Sequence, residues 1–200
     1  MPANRRLDRN PPDEVRRQLA VQLQVDNSHL EAIPADGLYR LREQLNVDEL
    51  TGVLARRAGL AALDEAILRV RLSSNPELTV AFLDVDGLKP CNDARGHAAG
   101  DRMLVAIADV LRVTLRSEDI VFRYGGDEFV CAMPFTSAAR AEEMLLDAWR
   151  ELSAVDASTF SAGFAELRPD DGSASLIARA DECLYAGRRR SQRRDWRIAR

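Results

Sequence analysis

Asp127 and Glu128 follow two adjacent glycines in the run Arg123-Tyr124-Gly125-Gly126-Asp127-Glu128-Phe129. Apolar stretches flank it, Ile120-Val121-Phe122 before and Phe129-Val130-Cys131-Ala132-Met133 after. Adjacent glycines supply the positive φ values of a tight hairpin and leave no side chain between the backbone and a bulky ligand. The pattern predicts a β-hairpin with two acids at its tip, where carboxylates can hold a hard cation such as Mg²⁺. A second acidic strand lies upstream, Thr79-Val80-Ala81-Phe82-Leu83-Asp84-Val85-Asp86. Its apolar run reads as a strand buried on both faces, and its i, i+2 spacing points Asp84 and Asp86 the same way. Were this strand beside the hairpin, Asp84 and Asp127 could share one ion. Each half alone has an ordinary reading as turn residues; the two together point to a metal site.

Lys89 is the only lysine in the chain, and it sits three residues after Asp86. A compact ammonium on a flexible stem suits a phosphate contact, and chance retention in an arginine-rich sequence is the alternative. The chain has 200 residues, 46% of them hydrophobic, which allows one cored domain plus an appendage. A net charge of −4 argues against a general nucleic-acid binder. No apolar run approaches the roughly 18 residues of a membrane span. Three widely spaced cysteines suit a reducing compartment, so a cytoplasmic protein is expected.

The elements that must position these groups follow from periodicity. Residues 1–47 predict a loose start, a helix over 13–25, a break at Pro34-Ala35-Asp36-Gly37 and a second helix over 38–45. Residues 48–193 predict helices over 59–72, 87–94, 101–115, 137–152 and 174–190, with strands over 78–84, 120–124, 129–134 and 159–166. Thr136 or Ser137 would cap the fourth of these helices and Asp101 the third. His97, after Gly96, reads as part of a turn with a structural role. The order β-α-β-β-α-β-α contains the ferredoxin-like pattern, an α+β fold with a mainly antiparallel sheet. Residues 194–200 read as a solvated basic tail.

In order and spacing these fragments resemble the GGDEF family of diguanylate cyclases. They include Asp48-Glu49-Leu50-Thr51-Gly52, the stretch Asp84 to Asp93, Gly96-His97-Ala98-Ala99-Gly100-Asp101, Gly125 to Phe129, Ser161-Ala162-Gly163 and Ala180-Asp181-Glu182-Cys183-Leu184-Tyr185. The resemblance runs from Asp48 to about Arg193 and implies a palm-type sheet with the acidic hairpin near its centre. It implies condensation of two GTP into cyclic di-GMP and two pyrophosphates, each 3′-hydroxyl attacking the other's α-phosphate. Asp84, the Val85 carbonyl and Asp127 would then hold Mg²⁺, with Mn²⁺ as a substitute. Glu128 would activate the hydroxyl or support the ion, and Asp86 would fix the following loop. Asn92 and Asp101 would read guanine, Leu88, Gly125 and Gly126 would line the substrate, and Lys89 and Arg188 would meet the β- and γ-phosphates. Arg116 and Asp119 match the family's inhibitory product site, with Arg123 beside them. A two-fold product made from one-substrate sites implies a homodimer, stable or transient, which residues 1–47 could control.

The sequence departs from the family at three places. Arg188 stands for the usual Lys, Gln192 for the usual Arg, and Ala55 for an Asn beside Arg56, which puts in doubt the local bracing of the domain entrance, an Asp48–Arg56 ion pair included. Two other readings stay open: a non-catalytic module sensing GTP or cyclic di-GMP, and a different palm-type nucleotidyl enzyme.

Overall fold

The computed structural model describes residues 11–23, 25–155, 159–190 and 198–199. The chain divides at Asn46/Val47 into two units. In the first, α1 (Pro12–Leu23) opens with a proline at its first helical position and acids at Asp13 and Glu14, which suit a helix N-terminus. Val15 and Leu19, one turn apart, are fully buried with Leu30 and Leu38. Then α2 (Ala35–Asn46) begins directly after Pro34. The expected break at residues 34–37 is therefore narrower than the sequence suggested. The Leu38 amide bonds the Pro34 carbonyl at 3.0 Å, so Asp36 and Gly37 lie in the first helical turn.

The second unit is built on one sheet. Its strands are β1 (Leu54–Ala55), β2 (Leu78–Asp86), β3 (Ile120–Arg123), β4 (Glu128–Pro134), β5 (Thr159–Glu166) and β6 (Ile198–Ala199). They lie in the order β1-β3-β4-β2-β5-β6. The four central strands are antiparallel neighbours, and β1 and β6 add parallel edges. Ile198 and Ala199 pair with Ala162 and Gly163, so this part of the expected solvated tail is strand.

Helices α3 (Arg56–Arg71), α4 (Leu88–Arg95), α5 (His97–Thr114), α6 (Ala138–Val155) and α7 (Ser173–Arg190) complete the unit. The period-2 rule sorts the core onto two faces. Ala81, Leu83, Val85, Phe129, Cys131 and Met133 pack with α5 and α6. Val80, Phe82, Phe122, Val130 and Ala132 pack with α3 and α7. Ser137 caps α6, its Oγ accepting from the Arg140 amide at 3.5 Å.

One boundary moves a candidate site residue. Gly96, at φ 80°, ends α4 and starts α5, which begins four residues earlier than predicted. His97 is then helical rather than part of a turn. Asp101 lies inside the helix, so the N-cap role open to it on sequence grounds does not apply.

Candidate active site

Central pairing of β2 with β4 joins the two acidic segments. Asp84 lies directly opposite Glu128 in the ladder, and the Val85 amide donates to the Asp127 carbonyl at 2.9 Å. Asp84, Asp86 and Glu128 share the parity of Phe82 and Val130, so the apolar stripe facing α3 and α7 turns acidic at the strand ends. Asp86 remains in β2, opposite Thr159, instead of starting a loop. Its carboxylate accepts from Ser161 Oγ at 2.8 Å and Thr159 Oγ1 at 3.2 Å, tying β2 to β5.

The hairpin is wider than a two-residue turn. Residues 124–127 connect β3 and β4, and neither Gly125 nor Gly126 has the positive φ expected from their sequence; Gly52, Gly87 and Gly96 do. A longer connection relieves the need for positive φ, so the glycines act through their missing side chains. A Cβ on Gly125 would fall onto Glu128 Oε2, whereas nothing lies within 4 Å of the corresponding position on Gly126. The Glu128 carboxylate therefore folds over Gly125, and Gly126 leaves open space.

Arg188 enters from the last turns of α7 and hydrogen-bonds Asp84, with Asp86 at 3.5 Å. The hydrogen bond to Asp84, and then the charges of Asp84, Asp86 and Asp127, raise the Arg188 guanidinium above its ordinary value. The resemblance places this residue at phosphates; the structure places its guanidinium on the acids, which attract it. Burial first, then the charges of Asp127, Asp84 and Asp181, raise the Glu128 carboxyl, while Arg56 opposes them. Lys89 is exposed at the start of α4. Gln192 lies outside the described residues.

The donor set suits a hard cation. Among the described residues no three His, Cys, Asp or Glu side chains form a metal cluster. Mg²⁺ needs no such cage, since it is held by one or two carboxylates with waters and substrate phosphates. Asp84 and Asp127 are the carboxylates available for such a site, and the positive charge of Arg188 already lies against Asp84.

On the other side of the hairpin, Asp48 takes a partner that sequence reasoning missed. It pairs with Arg123 at 3.1 Å and not with Arg56. Arg123 stands opposite Ala55 at the sheet edge and also donates to the Gly126 carbonyl at 2.7 Å. Burial pushes the Asp48 carboxyl up, but hydrogen bonds from Thr51 and the Arg123 guanidinium outweigh it and hold the carboxyl below its ordinary value. Arg56 instead lies over the Tyr124 ring, 4.1 Å from its centroid. Arg56 and Asp181 are thus additional residues acting on Glu128; their separation in sequence concealed them.

Arg116 and Asp119 come together as a closed pair. The Asp119 side chain is fully buried and accepts from the Arg116 amide at 2.8 Å and from its guanidinium at 3.1 Å. The same guanidinium bonds Thr136 Oγ1 and, at 3.3 Å, the Pro134 carbonyl, spanning a turn in which Phe135 has φ 57°. Arg123 points to the hairpin glycines and Asp48 rather than to this pair. Removing the Arg116 side chain takes the guanidinium from a buried carboxylate and leaves it the backbone amide alone. Arg116→Ala is therefore expected to lower stability by about 1–3 kcal/mol, read as a lower melting temperature, with Arg116→Lys losing less. An unchanged melt would show that the pair does not brace the turn.

The family model for the diguanylate cyclase GGDEF domain matches residues 45–194. The chain belongs to the GGDEF family. Diguanylate cyclase DgcP of Pseudomonas aeruginosa is 33% identical over 156 residues, covering 74% of this chain and 23% of that protein. Diguanylate cyclase DosC of Escherichia coli is 33% identical over 165 residues, 76% of this chain and 35% of that one. The chain thus spans a quarter to a third of these relatives' lengths. Among solved structures, the coiled coil and GGDEF domain of DgcB from Caulobacter crescentus, in complex with c-di-GMP, superposes with a TM-score of 0.75 at 27% identity. That match covers 91% of this chain and all of the other. In this GGDEF domain, as expected from the α+β pattern, helices cover both faces of a mainly antiparallel sheet. No helix among the described residues is long and apolar enough to cross a membrane.

Proposed function

We propose that this chain is a diguanylate cyclase that joins two GTP molecules into cyclic di-GMP and releases two pyrophosphates. The observation that carries the reading is the β2–β4 ladder, which sets Asp84 opposite Glu128 and fixes Asp127 to Val85 by a backbone bond. Asp84, the Val85 carbonyl and Asp127 would hold Mg²⁺, or Mn²⁺ in its place. Bound there, the ion supplies positive charge to a phosphoryl oxygen and acidity to a hydroxyl.

The chain's own groups do the rest. Glu128, with its carboxyl raised, is suited to take the 3′-hydroxyl proton. Lys89 and Arg188 bind the β- and γ-phosphates, Arg188 by leaving Asp84 as phosphate charge competes for it. Asn92 and Asp101, on the α4–α5 pair, hold guanine, Leu88 lines the substrate, and the open side of Gly126 admits ribose and phosphates. Each site holds one substrate while the product has two-fold symmetry, so two copies meet face to face during turnover. The helices of residues 1–47 are candidates for controlling that meeting. Product binding at Arg116 and Asp119 would require the closed pair to open, since Asp119 is buried.

The deciding experiment is incubation of the purified chain with GTP and Mg²⁺, followed by chromatography of the products. Cyclic di-GMP is the expected result. Its absence from a folded, concentrated sample freed of bound nucleotide would overturn the cyclase reading in favour of a GTP- or cyclic-di-GMP-binding module. Under the cyclase reading, Arg116→Ala also relieves inhibition by added cyclic di-GMP.

A further inference from the structure

Asn92 carries an oddity. Its Oδ1 is buried with no hydrogen-bond partner, one of only two such side-chain atoms among the described residues. The atom lies against Gly100 of α5. A Cβ at Gly100 would overlap Asn92 Oδ1 and come within 2.9 Å of its Cγ and 3.0 Å of Leu88 Cδ1. Gly100 does not have a positive φ, so the backbone conformation does not require glycine.

Two local costs therefore meet at one contact. A buried unpaired acceptor is unfavourable, and glycine inside a helix is less stable than alanine. Local rules are broken together where a site requires it. With Oδ1 against Gly100, the Asn92 side chain has only its NH2 donors left to offer a ligand. The next residue after Gly100 is Asp101, whose carboxylate only accepts. A donor from Asn92 and an acceptor from Asp101 would together match a base edge that offers both.

We infer that Gly100 is a positioning residue for base recognition: its missing side chain seats the Asn92 amide against α5 and so sets the direction of the Asn92 donor. The inference rests on the proposed binding of guanine between α4 and α5. It does not rest on turnover.

The test is calorimetric titration of the full chain with 3′-deoxy-GTP, which lacks the hydroxyl needed for condensation, in the presence of Mg²⁺. Wild type, Gly100→Ala, Asn92→Ala and the double variant are compared. Gly100→Ala is expected to weaken binding by on the order of tenfold, the loss of about one hydrogen bond. Its melting temperature should hold or rise, because alanine favours the helix. The double variant should bind no worse than Asn92→Ala alone, since both changes remove one interaction. Gly100→Ala binding like wild type while Asn92→Ala binds weakly overturns the inference. So does an equal additional loss in the Asn92→Ala background. If Asn92→Ala itself binds like wild type, the assignment of Asn92 to guanine fails and the inference with it, whatever the outcome of the turnover assay.

Discussion

Asp127→Ala is expected to lower cyclic di-GMP formation by on the order of 10³-fold or more while leaving the fold intact. The backbone and side chain of this residue do separate work. Its carbonyl accepts from the Val85 amide and helps zip β2 to β4, and alanine keeps that bond. Its carboxylate makes no hydrogen bond to another described residue, and its charge is felt by Glu128 and Arg188. Loss of an ion that stabilises developing charge by several kcal/mol corresponds to roughly three decades or more in rate. Stability should change by less than about 1 kcal/mol, since no cavity or buried unpaired group results. Product chromatography beside a thermal melt separates the two effects. Undiminished product would move the metal assignment away from Asp127. Equal losses of structure and activity would show that the carboxylate holds the hairpin and not an ion.

Local pattern was enough to place the acidic strands that meet at the candidate site. Apolar runs of strand length marked β2 and β4, and the i, i+2 rule put Asp84 and Asp86 on one face, where Arg188 meets both. The Gly-Gly pair marked the hairpin, although for a different physical reason than expected: the turn is wide, and what matters is the absent side chain at Gly125. The helix boundaries failed where glycine acts as a hinge. Gly96 at φ 80° lets α5 start at once, and an N-cap preference could not reveal this for Asp101. The ion pairs failed for another reason. Asp48 has Arg56 near in sequence, yet the parallel pairing of β1 with β3 brings Arg123 to it across 75 residues. Arg56 is then free to lie over Tyr124. Choice among many arginines is decided by sheet register, which a linear pattern does not carry. Asp181 was hidden for the same reason, since only the docking of α7 brings its charge to Glu128.

That docking can be tested directly with Gly163→Ala, which is expected to cost about 1–3 kcal/mol and also to disturb Arg188, the arginine we propose for phosphate binding. A Cβ at Gly163 would overlap the Ala180 carbonyl and the Leu184 amide and come within 2.7 Å of Leu184 Cα. These are backbone atoms, so no rotamer change relieves the clash and α7 must lift. Ala180, Leu184 and Arg188 follow at intervals of four, one stripe of the helix. In the sheet, Gly163 stands beside Phe82, and two residues along stands Ser161 beside Asp84. Four helical residues, a rise of about 6 Å, match two strand residues of about 6.6 Å. The Gly163–Leu184 contact therefore sets the level at which Arg188 reaches Asp84. The stability loss should appear as a fall of roughly 2–12 °C in melting temperature. The loss of aim should appear as a raised KM for GTP, present in the parent and absent when Arg188 is already alanine. A KM change of the same size in both backgrounds would mean that Gly163 serves the fold alone, with Arg188 positioned by its attraction to the acids and not by the backbone contact beneath it.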